Sequence, residues 1–181
     1  GTNNAEAIRI DSSGNVGIGT TPVGFHSSYS GLQLGGNAVW MGDTTAGASK
    51  ASLFAQNAHI DTDGSWEYIS TDEASYYAQT SGKHEFYTVA LGTAGNDITF
   101  GDAKVTILNG GNVGIGTTSP GDNLEIAEAG TNSQTGVVIT GYNDQTDYTP
   151  FLQIKKSHSD TLGTATATID NEIIGDITFA G

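Results

Sequence analysis

Apolar and polar residues alternate along most of this chain in short runs, the period-two pattern of half-buried β-strands. Ile8-Arg9-Ile10 is the first such run, and Ser12-Ser13-Gly14-Asn15 follows it. That second stretch is turn chemistry, since glycine and asparagine tolerate positive φ. Val16-Gly17-Ile18-Gly19 then sets two β-branched side chains on one face and two glycines on the other. A bare glycine face weakens a strand standing alone and marks close approach by another backbone. Thr20-Thr21-Pro22 ends the pairing, because proline has no N–H to donate.

The same pattern returns. Gly14 to Thr21 recurs letter for letter as Gly111-Asn112-Val113-Gly114-Ile115-Gly116-Thr117-Thr118, at an offset of 97. Ile8 and Ile10 map onto Val105 and Ile107, and Pro22 corresponds to Pro120 with one residue inserted. Each copy leads into a second short alternation, Leu32-Gln33-Leu34 in one and Leu124-Glu125-Ile126 in the other. The chain therefore carries a duplicated strand–turn–strand module. Gly14, Val16, Gly17, Ile18 and Gly19, with Gly111, Val113, Gly114, Ile115 and Gly116, are its structural positions.

Between the copies lies an insert that carries most of the aromatic residues. Trp66-Glu67-Tyr68-Ile69 reads as a strand reached through Asp63-Gly64-Ser65. Ala74 to Gln79 and His84 to Val89 read as a hairpin around Thr80-Ser81-Gly82-Lys83. A helix capped at Ser70-Thr71-Asp72-Glu73 and stopped by Gly82 is the rival, disfavoured by Tyr-Tyr and Phe-Tyr-Thr-Val. Ile98-Thr99-Phe100 and Val105-Thr106-Ile107 are further strands. Beyond the second repeat, Val137 to Thr140, Phe151 to Ile154 and Ile173 to Phe179 read as strands, with a loop from Ser157 to Thr168. The expected division is a first repeat module (1–42), an aromatic-rich β insert (43–104), a second module (105–140) and a C-terminal β segment (141–181).

Composition changes the picture in one respect. Leu, Ile, Val and Phe together make up only 37 of 181 residues, whereas Gly, Thr, Ser and Asn make up 77. Such a chain either stays unfolded or orders by burying apolar surface against copies of itself. The repeated strand pattern favours the second. The net charge of −14 argues against nucleic acid and anionic membranes as partners. No stretch approaches the ~20 apolar residues of a spanning helix, so no membrane insertion is expected. With no cysteine there is neither a disulfide framework nor a thiolate site. The chain begins at Gly1 without a leader and stops at Gly181 straight after a strand pattern, which reads as a fragment or mature product of a longer polypeptide.

Candidate chemistry is sparse. The alternating glycines of 16–19 lack the third glycine and following helix of a dinucleotide loop, and no lysine is placed for a phosphate loop. Asp61-Thr62-Asp63-Gly64 opens like a calcium loop, but Glu67, Asp72 and Glu73 miss the later ligand positions, so an acidic turn is the plainer reading. His26, His59, His84 and His158 are scattered, leaving three copies of one histidine at a symmetry axis as the route to a metal. No cofactor, metal or catalytic residue is expected. A carboxylate pair for glycoside hydrolysis would have to come from Asp61, Asp63, Glu67, Asp72 or Glu73. The feature with functional leverage is the group Trp66, Tyr68, Tyr76, Tyr77, Phe86 and Tyr87. Such rings either complete a core between subunits or stack on sugars, with Asp63, Glu67 and Gln79 as hydroxyl acceptors. Trp66, Tyr68, Tyr76, Tyr77 and Tyr87 are the candidate glycan contacts.

Residues 8–22, residues 111–126, Asp63-Gly64-Ser65-Trp66-Glu67-Tyr68-Ile69-Ser70, Ser81 to Tyr87, Gly92 to Asn96, Leu152 to Ser157 and Gly175 to Gly181 together resemble segments of tailed-bacteriophage tail fibres and related virion appendages. The resemblance covers nearly the whole chain. It implies an all-β fold: an elongated homotrimer of short strands and hairpins with β-helical or β-prism-like intertwining about a three-fold axis. In that family the last segment commonly leads into an intramolecular chaperone domain, which trimerises the fibre and is then cut off. The expected role is a non-enzymatic structural segment of an extracellular virion fibre. Its partners would be two further copies, adjoining fibre segments and host surface polysaccharide. A glycan-degrading tailspike and a bacterial surface adhesin are the alternatives.

Overall fold

The structure, a computed structural model, describes residues 7–128 and 135–140. All described strands lie in one compact unit, residues 1–135, and residues 136–181 form a second. In chain order the strands begin with β1 (Ile8–Ile10), β2 (Val16–Ile18), β3 (Tyr29–Leu34), β4 (Ala38–Asp43) and β5 (Ala51–Gln56). Then come β6 (Ala58–Ile60), β7 (Trp66–Tyr68), β8 (Ala74–Thr80) and β9 (Lys83–Val89). β10 (Asp97–Ile98), β11 (Val105–Ile107), β12 (Val113–Ile115) and β13 (Leu124–Ile126) complete the described set, which is all-β.

The duplicated sequence is a duplicated structure. β1 and β2 form an antiparallel hairpin with Ile8 opposite Ile18, and β3 lies parallel to β2. β11 and β12 repeat the hairpin with Val105 opposite Ile115, and β13 lies parallel to β12. Gly17 is where the motif needs no side chain. A Cβ there would come 2.3 Å from the Thr20 carbonyl oxygen, and at Gly114 the equivalent contact with Thr117 is 2.4 Å. The backbone that approaches the glycine face is thus the chain's own Thr-Thr turn. Gly19 and Gly116 close the strands with their amides donating to Ala7 and Lys104.

A third hairpin of the same build was hidden in the sequence. Asp11 N–H donates to Asn15 O and Gly14 N–H to Asp11 O; the pairs Asp61/Ser65 with Gly64/Asp61, and Leu108/Asn112 with Gly111/Leu108, repeat both bonds. The glycines sit at φ of 85°, 95° and 93°, which only glycine adopts freely. The middle copy joins β6 to β7, and all three share an isoleucine before the turn (Ile10, Ile60, Ile107).

β4, β5, β8 and β9 form an antiparallel run linking the two modules into one ten-stranded sheet, ordered β1-β2-β3-β4-β5-β8-β9-β11-β12-β13. This sheet runs unbroken past residues 42/43 and 104/105. The expected hairpin is present, with Ser81 (φ 52°) and Gly82 (φ 73°) as its two-residue loop. Paired positive φ is the geometry that suits strand twist, and the rival helix does not form. β6, β7 and β10 make a separate three-stranded sheet. Asn57 is the step between the two sheets. It is fully buried at φ 57°, its amide donates to Ser70 O and Glu73 O, and its carbonyl accepts from Ser70 N–H and Oγ–H.

One face of the large sheet is covered. Val39, Met41, Leu53, Ala55 and Ala78 are buried there with Phe25, and Ala58, Ile60, Tyr68 and Ile98 of the small sheet belong to the same core. Phe25 lies over Gly31, where a Cβ would come within 2.3 Å of the ring. The strand expected at Val137 to Thr140 is a correction. Among the described residues Val137 to Thr140 pair with no strand, and Val138 is 88% exposed; β-branched residues make a strand only where a neighbouring edge supplies hydrogen bonds. Phe151 to Ile154, the loop from Ser157 to Thr168 and Ile173 to Phe179 lie outside the described residues.

Candidate functional site

The aromatic residues divide between the two faces of the large sheet, because successive side chains on a strand point in opposite directions. On the covered face Tyr76 is opposite Tyr87, and their rings stack with centroids 4.3 Å apart. Trp66 also stacks on Tyr76, at 4.4 Å, and Phe100 meets both edge-on. Tyr68 is buried, its hydroxyl donating to Ala90 O at 2.7 Å. Its ring fills the space a side chain at Gly92 would need. Burial pushes the Tyr76 hydroxyl far above the ordinary tyrosine range, and it raises Tyr87 in the same direction.

Of the expected contacts, Tyr77 alone stands on the other face. There it joins a row that crosses every strand of the large sheet. The register takes Ile10 to Val16, Val16 to Leu32, Leu32 to Trp40 and Trp40 to Phe54. It continues from Phe54 to Tyr77, to Phe86, to Val105, to Ile115 and to Ile126. Each of the ten strands contributes one apolar or aromatic residue to this row. No member of the row is buried: Ile10 (69%), Trp40 (49%), Phe54 (43%), Phe86 and Ile115 are exposed, and Val16, Leu32, Tyr77, Val105 and Ile126 are half-buried. Shallow depressions of about 400 and 420 Å³ lie beside Trp40 and between Phe54 and Phe86.

Two further properties define this face. The large sheet's charged strand residues, Arg9, Asp43, Lys83, Glu85 and Glu125, all have the opposite parity, so no strand position on the open face is charged. In a chain with 20 carboxylates this separation is informative, since charge depletion marks the centre of protein interfaces. The rings also stack on one another, with Trp40–Phe54 at 5.1 Å, Phe54–Tyr77 at 6.1 Å and Tyr77–Phe86 at 4.9 Å. Stacked rings turn their faces to the next strand and only their edges outward. The Tyr77 hydroxyl hydrogen-bonds His84 Nδ1, and Trp40 Nε1–H donates to Ser52 Oγ at 3.0 Å.

Trp40 and Phe54 are the members that sequence reading missed. Their neighbours Met41 and Leu53 are apolar as well and fill the covered face, so β4 and β5 show no polar alternation. The signal lay in the pairing rather than the pattern.

The carboxylates serve local structure. Asp61 Oδ1 accepts the amides of Asp63, Gly64 and Ser65, the work of a turn cap. Asp11 accepts the Asn15 side-chain amide and the backbone amides of Asn15 and Ser13, and these bonds, the side-chain one foremost, hold its carboxyl below the usual range. Glu67 faces His59, whose Nε2 is 3.8 Å away, and burial holds the His59 imidazole below its ordinary pKa. Among the described residues, no group of His, Asp and Glu has metal-binding geometry. Neither a protein-family model nor any curated protein matches this chain.

Proposed function

We propose that this chain is a structural segment of a phage-type tail fibre that assembles as a homotrimer and contributes to host-cell attachment. The observation that carries the reading is the open face of the large sheet, with one apolar residue from each of ten strands and no charge. A sheet with one face packed on its own core and the other left apolar completes itself against further copies. Three such sheets facing an axis make the walls of a prism, which joins the thin core to the expected fibre form. The stacked rings would then be the filling of that prism. Attachment to host polysaccharide, and to adjoining fibre segments, would use surfaces outside the trimer axis. No catalytic step is assigned.

Light scattering on the purified chain tests the assembly. Three copies of an 18.6 kDa chain are expected, and a folded monomer overturns the reading. Glycan-array binding by the intact trimer tests attachment. Release of soluble oligosaccharide from a bound polysaccharide would point instead to the tailspike alternative.

A further inference from the structure

We propose that the two edges of the large sheet fit each other, so that β13 of one copy pairs antiparallel with β1 of the next. The inference rests on the trimeric reading above and names its contact. Among the described residues β1 and β13 are the outermost strands of the sheet. The internal repeat shows what each edge accepts. β11, the counterpart of β1, takes β9 antiparallel on its outer side, and β3, the counterpart of β13, takes β4 antiparallel. Traced across the sheet, β13 runs in the direction of β9, and β1 in that of β4. One β13–β1 junction therefore reproduces both internal pairings.

The backbone hydrogen bonds agree. Gly19 N–H to Ala7 O and Asp11 N–H to Asn15 O, both 2.9 Å, turn the odd-numbered groups of β1 toward β2. That leaves the N–H and C=O of Ile8 and Ile10 on the outer edge, by antiparallel alternation. Val113 N–H to Asn123 O (3.0 Å) and Ala127 N–H to Ile115 O (2.9 Å) likewise leave those of Leu124 and Ile126 facing outward. Setting Leu124 opposite Ile10 and Ile126 opposite Ile8 matches all four donors and acceptors. The same register continues the apolar face from one copy to the next. It also places Glu125 opposite Arg9, the chain's single arginine, on the charged face. Glu125 would then stand to Arg9 as Glu85 stands to Thr106 in the internal copy. Opposite charges directly across an antiparallel pair are favourable. This contact is head-to-tail, and it closes at three copies when each junction turns a third of a circle. Closure leaves neither edge of the large sheet open to aggregation.

The chain has no cysteine, so Arg9→Cys with Glu125→Cys reports the contact cleanly. The two positions form a non-hydrogen-bonded pair in the proposed register, whose Cα separation of about 4.5 Å suits a disulfide. Within one chain they are nine strand spacings apart, roughly 40 Å, so the bond can form only between copies. After mild oxidation, a denaturing non-reducing gel should show a covalent trimer that reductant returns to single chains. A trimer by light scattering with no cross-link overturns the edge pairing and leaves the trimeric reading standing. A monomeric parent chain overturns both. Bands beyond three overturn closure, and cross-linking through Arg9→Cys with Ala127→Cys instead overturns the register. As an independent variant, Arg9→Glu and Glu125→Arg should each raise the dissociation concentration several-fold, and the double exchange should recover most of it. Failure to recover in a chain with native circular dichroism counts against the pairing.

Discussion

Tyr76 and Tyr77 are adjacent in sequence and stand on opposite faces of the large sheet, with Tyr76 stacked on Tyr87 and Tyr77 on Phe86. The two rings therefore have different consequences when removed. Tyr76→Ala should destabilise the single chain by about 2–4 kcal/mol, somewhat under the roughly 3–5 for a fully buried ring because Tyr76 is half-buried. Phe54→Asp, beside Tyr77 on the open face, should leave the fold intact and abolish the trimer. Denaturant unfolding with light scattering separates the two effects. A Phe54→Asp chain that remains trimeric would remove the open face as the interface.

The repeat glycines act through their own chain. Gly17→Val and Gly114→Val should each cost more than about 2 kcal/mol, since a side chain there drives into the Thr20 or Thr117 carbonyl and small-to-large changes of this kind cost about 1–3. Gly101→Ala, with nothing within 4 Å of the added Cβ, is the control and should shift stability by under about 0.5 kcal/mol. Equal melting temperatures for all three variants would contradict this account.

Asn57 holds the corner between the sheets. Asn57→Ala leaves its four partners without their bonds and strains a positive φ, so a loss of about 3 kcal/mol is expected. Asn57→Gly relieves the backbone and should recover only the smaller part. If both variants melt like the parent, the corner is held by something else.

Acid should weaken the fold through His59. Burial lowers its pKa in the folded chain below the ordinary 6.5, against the pull of Glu67 and Asp61. Between the two values the unfolded chain binds the extra proton, so stability is full above pH 6.5 and falls as pH drops toward the folded value. His59→Leu should flatten that part of the stability–pH curve, measured by urea midpoints. An unchanged slope would show that other groups carry the acid sensitivity.

Alkali should act through the half-buried Tyr76. The Tyr76 pKa is raised in the folded chain from 10.0, so above pH 10 the unfolded chain ionises first and stability declines as pH rises. Tyr76→Phe should reduce that decline. Spectrophotometric titration should show fewer than the chain's 7 tyrosines ionising before unfolding.

The duplicated module was legible because its rules are local. Alternation at Ile8-Arg9-Ile10, turn chemistry at Gly14 and Gly111 and the stop at proline depend on neighbours a few residues away, and the Ser81-Gly82 loop is equally short-range. The strand at Trp66 to Tyr68 and its turn at Asp63-Gly64-Ser65 were legible too, but β4, β5 and β6, the partner that makes 58–68 a hairpin, were not. Met41 and Trp40 are both apolar yet face opposite ways, and the third hairpin shares only an isoleucine and a glycine with both sisters, and the capping aspartate with the first alone.

By itself, then, the sequence determined that this chain builds short strands, repeats one hairpin design and owns too little apolar surface for a large core. Tertiary structure decided which rings are enclosed, that ten strands align one apolar residue each, and that the charged strand residues of the large sheet all stand on its other face. Those outcomes depend on register between strands up to tens of residues apart, and a shift of one residue would exchange the two faces.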